Sequence, residues 1–123
     1  MEGYKAEVRE ASKELSKREI LRIKNFTSAV ALDEAVTEDV PLTIEYAFHA
    51  LIGIHNERSD NKDYTKCVVV DEAGDMYVTG SESFYTSLQE ICEVMGDEKF
   101  MISVLKKPSK NYKGKSFLTC EIV

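Results

Sequence analysis

The sequence predicts a mainly β domain with two helices, in which five strands form a small Greek-key barrel. Three observations predict this. Apolar residues alternate with period two from Leu42 to Ile54, and side chains two apart on a pleated strand point to one face. Four shorter strand-like segments follow, bounded by turn formers. A single segment of helical periodicity falls between the third and fourth strands. The 123 residues, 43% apolar and 31% charged, suit one compact domain. Residues 1–40 are expected to supply a helix and an acidic connection, and residues 41–123 the barrel.

In chain order, "LSKRE" offers a helix entry. Ser16 and Glu19 form an S-x-x-E capping box, in which each side chain satisfies a backbone donor of the other residue. A short helix is expected over about Lys17–Lys24, with Leu15 and Ile20 as a hydrophobic staple. "LDEAVTEDVP" reads as a solvated acidic connection ended by Pro41. The first barrel strand carries Leu42, Ile44, Tyr46, Phe48, Ala50, Ile52 and Ile54 on one face; its length calls for a bend, and Gly53 is the expected place. "YTKCVVV" and "MYVTG" form a hairpin around the turn "DEAGD". In "SESFYTSLQEICEVMG", Phe84, Leu88, Ile91, Cys92 and Met95 share one helical face. Ser81 or Ser83 caps its start, and Gly96 its end. "KFMISVLKK" and "KSFLTCEIV" are the last two strands. This order is that of an OB-fold, which binds oligonucleotides on its strand 2–3 face and through its 1–2 and 4–5 loops.

Charge is distributed very unevenly. The chain totals −6, yet residues 1–30 carry +2, residues 31–98 carry −13 and residues 99–123 carry +5. Screening limits each charge to roughly 8–10 Å, so the local balance decides what a segment attracts. "KKPSKNYKGK" holds Lys106, Lys107, Lys110, Lys113 and Lys115 on the expected 4–5 loop. Lysines there can neutralise phosphates, Asn111 can donate hydrogen bonds, and Tyr112 can stack on an unpaired base. The 1–2 loop adds Arg58, Lys62 and Lys66. Tyr64 and Tyr77 lie on or beside the strand 2–3 face as further candidate stackers. A solvated hairpin is the plainer reading of the same lysines, which also protect sheet edges.

Other chemistries find little support. Cys67, Cys92 and Cys120 are an odd set without C-x-x-C, so they read as small core residues in a reducing compartment, with neither a disulfide framework nor a zinc site expected. His49 and His55 lie about 20 Å apart on a straight strand, too far to share a metal; His55 reads as a loop-edge residue and His49 as surface or structural. No phosphate-binding glycine loop, H-E-x-x-H or G-x-S-x-G occurs, so neither an enzyme nor a cofactor is expected. No run approaches a membrane span. The N-terminus lacks a signal pattern, which makes the expected location the cytoplasm.

The segments "LDEAVTED", "IHNERSDNKDYTKCVVVDEAGDMYVTGSESF" and "KPSKNYKGKSFLTCEIV" resemble single-stranded DNA-binding proteins encoded by phages and prophages of Gram-positive bacteria. The similarity runs from about Ala11 to Val123, and "YVTGSESF" and "KPSKNYKGK" are its most specific parts. The resemblance implies an OB-type protein that coats single-stranded DNA in phage replication or recombination within the bacterial host cell, without catalysis. Bacterial proteins of the general class usually end in an acidic recruiting tail, whereas this sequence stops at "TCEIV", so recruitment through such a tail is not expected. The expected partner is single-stranded DNA, with RNA also compatible; a homo-oligomer and contacts with replication or recombination proteins stay open. The competing expectation is an acidic protein-interaction module, or a DNA-mimicking phage inhibitor of a host enzyme, built on the −13 middle segment.

Overall fold

The computed structural model describes residues 4–58, 62–109 and 115–123. Among them are seven strands and three α-helices, not five and two. The strands are β1 (Tyr4–Ala11), β2 (Val30–Ala31), β3 (Leu42–Asn56), β4 (Asp63–Asp71), β5 (Met76–Thr79), β6 (Phe100–Pro108) and β7 (Ser116–Ile122). The helices are α1 (Lys17–Lys24), α2 (Leu32–Ala35) and α3 (Glu82–Met95), with a 3₁₀ turn at Phe26–Ser28. All strands belong to one curled, half-barrel sheet of order β2-β5-β4-β3-β6-β7, with β1 beside β3. Within it, β6-β3-β4-β5 is the 4-1-2-3 arrangement of a Greek key.

The long strand β3 organises the sheet. Along one edge it pairs with β6 over Leu42–Tyr46 and then with β1 over Ala50–Asn56; β4 pairs over Tyr46–His55. The bend falls at Ala47, where the β3–β4 register skips one residue between Tyr46 and Phe48, and not at Gly53. The extra residue reverses which face each later side chain meets. Ile44 and Tyr46 join a core with Val69, Phe84, Leu88, Ile102, Val104, Leu118 and Cys120. Beyond the bulge, Ala50, Ile52 and Ile54 join a second core with Ala6, Ile23, Val68, Val70 and Met76. The seven alternating residues therefore serve two cores on opposite faces of the sheet. Gly53 has a different use: a Cβ there would lie 1.9 Å from Arg9 Nε, so its bare backbone lets the Arg9 side chain cross.

The inner core is closed by α3. Its N-cap Ser81 accepts from the Phe84 N–H, and Gly96 ends it at φ +60°, a conformation that glycine reaches without a Cβ penalty. Three hydroxyls tie it to β7: Ser81 and Ser83 Oγ donate to the Leu118 carbonyl at 3.2 and 2.7 Å, and Ser87 Oγ lies 2.9 Å from Thr119 Oγ1. Asp33 of α2 ties β5 to β6, accepting from Thr79 Oγ1 through its carboxylate and from Lys106 Nζ through its carbonyl.

The outer core is closed by α1. Its capping box is present: Glu19 N donates to Ser16 Oγ at 3.1 Å and Ser16 N donates to Glu19 Oε1 at 2.9 Å. The contact with Lys13, and after it those capping bonds, pull the Glu19 carboxyl down to about 2. Ile23 is the helix's buried residue, whereas Ile20 is 36% exposed. Leu15 packs against the outer core. Ser16→Ala should lower stability by about 1 kcal/mol, as loss of an N-cap hydroxyl does; urea unfolding at neutral pH checks this.

Candidate nucleic-acid interface

The basic segment lies on the β6–β7 hairpin. Its ladder runs to Pro108 opposite Ser116 and continues with Ser109 N donating to the Lys115 carbonyl at 2.9 Å. Lys110, Asn111, Tyr112 and Lys113 lie outside the described residues. Neighbouring residues of a strand face opposite ways, so Lys106 and Lys107 part company. Lys106 Nζ reaches the Asp33 carbonyl at 2.8 Å. Lys107 stands on the outer face opposite Phe117, with its Nζ 2.8 Å from Glu121 Oε1. Lys115 is exposed at the hairpin base.

Arg58 and Lys62 are exposed on the β3–β4 hairpin. The Arg58 N–H donates to Asn56 Oδ1, and Lys62 Nζ lies 3.2 Å from Glu57 Oε2. Beside them His55 bridges Asp63 at 2.8 Å and Glu57 at 2.6 Å, and these two carboxylates raise its pKa. This hairpin follows the C-terminal end of β3, while Lys106 and Lys107 lie past Val104, which pairs with Leu42 at the N-terminal end. The two basic groups therefore occupy opposite ends of the longest strand.

The strand 2–3 face of the sequence expectation corresponds to the outer face of β4 and β5. Val68, Val70 and Met76 are buried there against Ile23, with Phe26 and Ala29 packed alongside. Tyr64, opposite Ile54, is half-buried against the same core. Lys66 is half-buried too and runs beside Gly80. Tyr77 turns inward and packs on the inner core. Its hydroxyl donates to Asp71 Oδ2 at 2.9 Å, and burial with that bond pushes its pKa up to about 12. Leu15, Ile23, Phe26 and Ala29 thus cover the surface on which the stackers were expected.

Of the two readings left for His49, surface or structural, the structure supports the second, and it adds a buried polar group beside the Ala47 bulge that sequence reasoning did not assemble. His49 is 6% exposed, and its Nδ1 shares a 2.6 Å hydrogen bond with the Tyr46 hydroxyl. Tyr46 OH also donates to Ser12 Oγ and accepts from Cys92 Sγ; Ser12 Oγ accepts from the His49 N–H. Desolvation pulls the His49 pKa down to about 4, partly opposed by Glu10. A cleft of about 590 Å³ opens beside this group, lined by Glu10, Ser12, His49, Tyr85 and Cys92. One signal was available: no charged residue stands between Glu45 and Glu57, as in a strand buried on both faces.

All three cysteines are free; Cys67 and Cys120 are in the core, with thiols pushed up to about 12 by burial. Among the described residues, no group of three or more His, Cys, Asp or Glu side chains is placed to hold a metal, and no helix is long and apolar enough to cross a membrane. No known protein family, curated protein or solved structure matches the chain.

Proposed function

We propose that the chain is a non-catalytic, sequence-tolerant single-stranded DNA-binding protein on an OB-type barrel. The observation that carries the reading is the basic hairpin at the end of a curled Greek-key sheet. Residues 99–123 hold six lysines and one acid, and Lys106, Lys107 and Lys115 stand on or beside the β6–β7 ladder. The order of β3, β4, β5, α3, β6 and β7 agrees with an OB-fold, with α2 linking Thr79 of β5 to Lys106 of β6 and α3 bonded to β7. A lysine-rich loop with one tyrosine binds phosphates and ring faces without reading sequence. The cellular setting proposed is phage replication or recombination in a bacterial cytoplasm. DNA mimicry is less well supported, because two acids of the middle segment have structural work: Asp33 holds Thr79, and Asp71 caps the β4–β5 turn and holds Tyr77.

The test is a fluorescence-anisotropy titration of oligo-dT, with matched RNA in parallel, at several salt concentrations. Log affinity should fall linearly with log salt. Lys110→Ala with Lys113→Ala should weaken binding and reduce the slope by about 1.4, from about 0.7 per phosphate contact on single strands. Absence of binding at low salt would overturn the function. A double variant matching the parent at every salt would remove the loop from the interface.

A further inference from the structure

Alternation along β6 and β7 sorts their side chains into two sets. Ile102, Val104, Leu118 and Cys120 turn inward and are buried, while Met101, Lys107 and Phe117 stand exposed on the outer face, with Leu105 half-buried between them. The outer face of the whole sheet is thus half closed and half open. Over β4 and β5 it lies under α1; over β6 and β7 it carries Met101 at 39% and Phe117 at 40% exposure. Among the described residues, Phe117 is the exposed aromatic ring nearest in sequence to the lysine-rich loop, and its direct cross-strand neighbour is Lys107. Residues 99–123 carry +5 in a chain of −6, so this segment of the chain suits a polyanion with stackable rings.

We propose that the outer face of β6–β7, and not that of β4–β5, takes the nucleic-acid strand, with Phe117 stacking on a base and Lys107 meeting a phosphate. The proposal rests on the single-stranded DNA reading and assigns its site. Glu121 becomes a competitor in this arrangement. Its carboxylate holds Lys107 Nζ at 2.8 Å, but both side chains are about half exposed, and ion pairs at such positions are weak enough for a phosphate to displace. Removing the Glu121 charge should therefore strengthen binding, an effect that a merely structural role for the strand would not produce.

The chain has no tryptophan, so Phe117→Trp installs a single reporter ring. Oligo-dT should quench its emission, as stacking requires. Phe117→Ala should bind at least about fivefold more weakly, the lower end for loss of one stacked base. Glu121→Gln should bind more tightly than the parent, and circular dichroism would check that each variant is folded. If the parent binds oligo-dT while the Phe117→Trp emission stays unchanged and Phe117→Ala and Glu121→Gln bind like the parent, the face is wrong and the function stands. If Phe117→Ala instead abolishes a concentration-dependent dimer without altering DNA affinity, the face joins copies of the chain and the proposal falls. If the parent does not bind, the function falls with it.

Discussion

Phe84→Ala should be among the most damaging single substitutions in the chain, lowering stability by about 3–5 kcal/mol. Phe84 is fully buried in the first turn of α3, within the core formed by Val69, Leu118 and Cys120. Two terms add in such a truncation: lost burial of the ring and the cavity left where the surroundings cannot collapse. Collapse is restricted here because the helix start is pinned on both sides of the ring, by Ser81 and Ser83 on the Leu118 carbonyl and by Ser87 against Thr119. A domain of this size has about 5–15 kcal/mol in total. With a urea dependence of about 2 kcal/mol per M, the midpoint should fall by about 2 M. A shift corresponding to less than about 1 kcal/mol would mean that α3 does not close the inner core.

The same helix illustrates what the sequence made legible. Phe84, Leu88, Ile91 and Cys92 repeat at helical spacing, and Ser81 and Gly96 mark the ends, so local chemistry and tertiary packing agree. The Ser16–Glu19 box likewise located α1 at Lys17–Lys24. By contrast, β1 was hidden. "YKAEVREA" has four charged residues, and the register slip at Arg9 limits its apolar alternation to Ala6 and Val8, which face the outer core. Pairing with the exposed edge of β3, not its own pattern, makes it a strand. The two-residue β2 and four-residue α2 are too short to carry a period and depend on contacts made by Asp33 and Leu32.

The candidate site was legible in charge but not in surface. Lys107 and Lys115 could be read as basic residues on a hairpin from composition alone. That Lys106 turns to α2 depends on strand register and on a helix that the sequence did not announce. Coverage of the β4–β5 face by α1 rests largely on Ile23 and Phe26, and an apolar stripe that narrow does not say which face it will meet. The exposed Phe117, opposite Lys107, was present in the alternation of β7 but looked like any other strand residue until the opposite half of the sheet was found closed.

Acid should weaken the fold through His49 before it reaches the carboxylates. A buried neutral imidazole with a folded pKa of about 4, against about 6.5 when unfolded, is protonated first in the unfolded chain. Its depressed pKa makes stability fall as pH drops from about 6.5 towards 4, by about 2 kcal/mol between pH 7 and about pH 5. The groups around the ring are Glu10 from β1 and Ser12 just after it, Tyr46 from β3, and Tyr85 and Cys92 from α3. Glu10 is the carboxylate that favours the charged imidazolium, and it is already engaged by the Tyr85 hydroxyl at 2.5 Å. Other shifted groups act in other windows. His55 has a raised pKa, so its contribution is complete below about 6.5 and lost only as pH rises through its folded value. Glu19, held at about 2, loses its contribution below about 4.5. His49→Gln keeps a hydrogen-bonding amide near Tyr46 but cannot titrate. Urea unfolding of both proteins at pH 7 and about pH 5 should show the parent losing about 2 kcal/mol and His49→Gln losing much less. Equal losses would mean that the imidazole is already solvated, and that the Ser12–Tyr46–His49 group at the Ala47 bulge opens in solution.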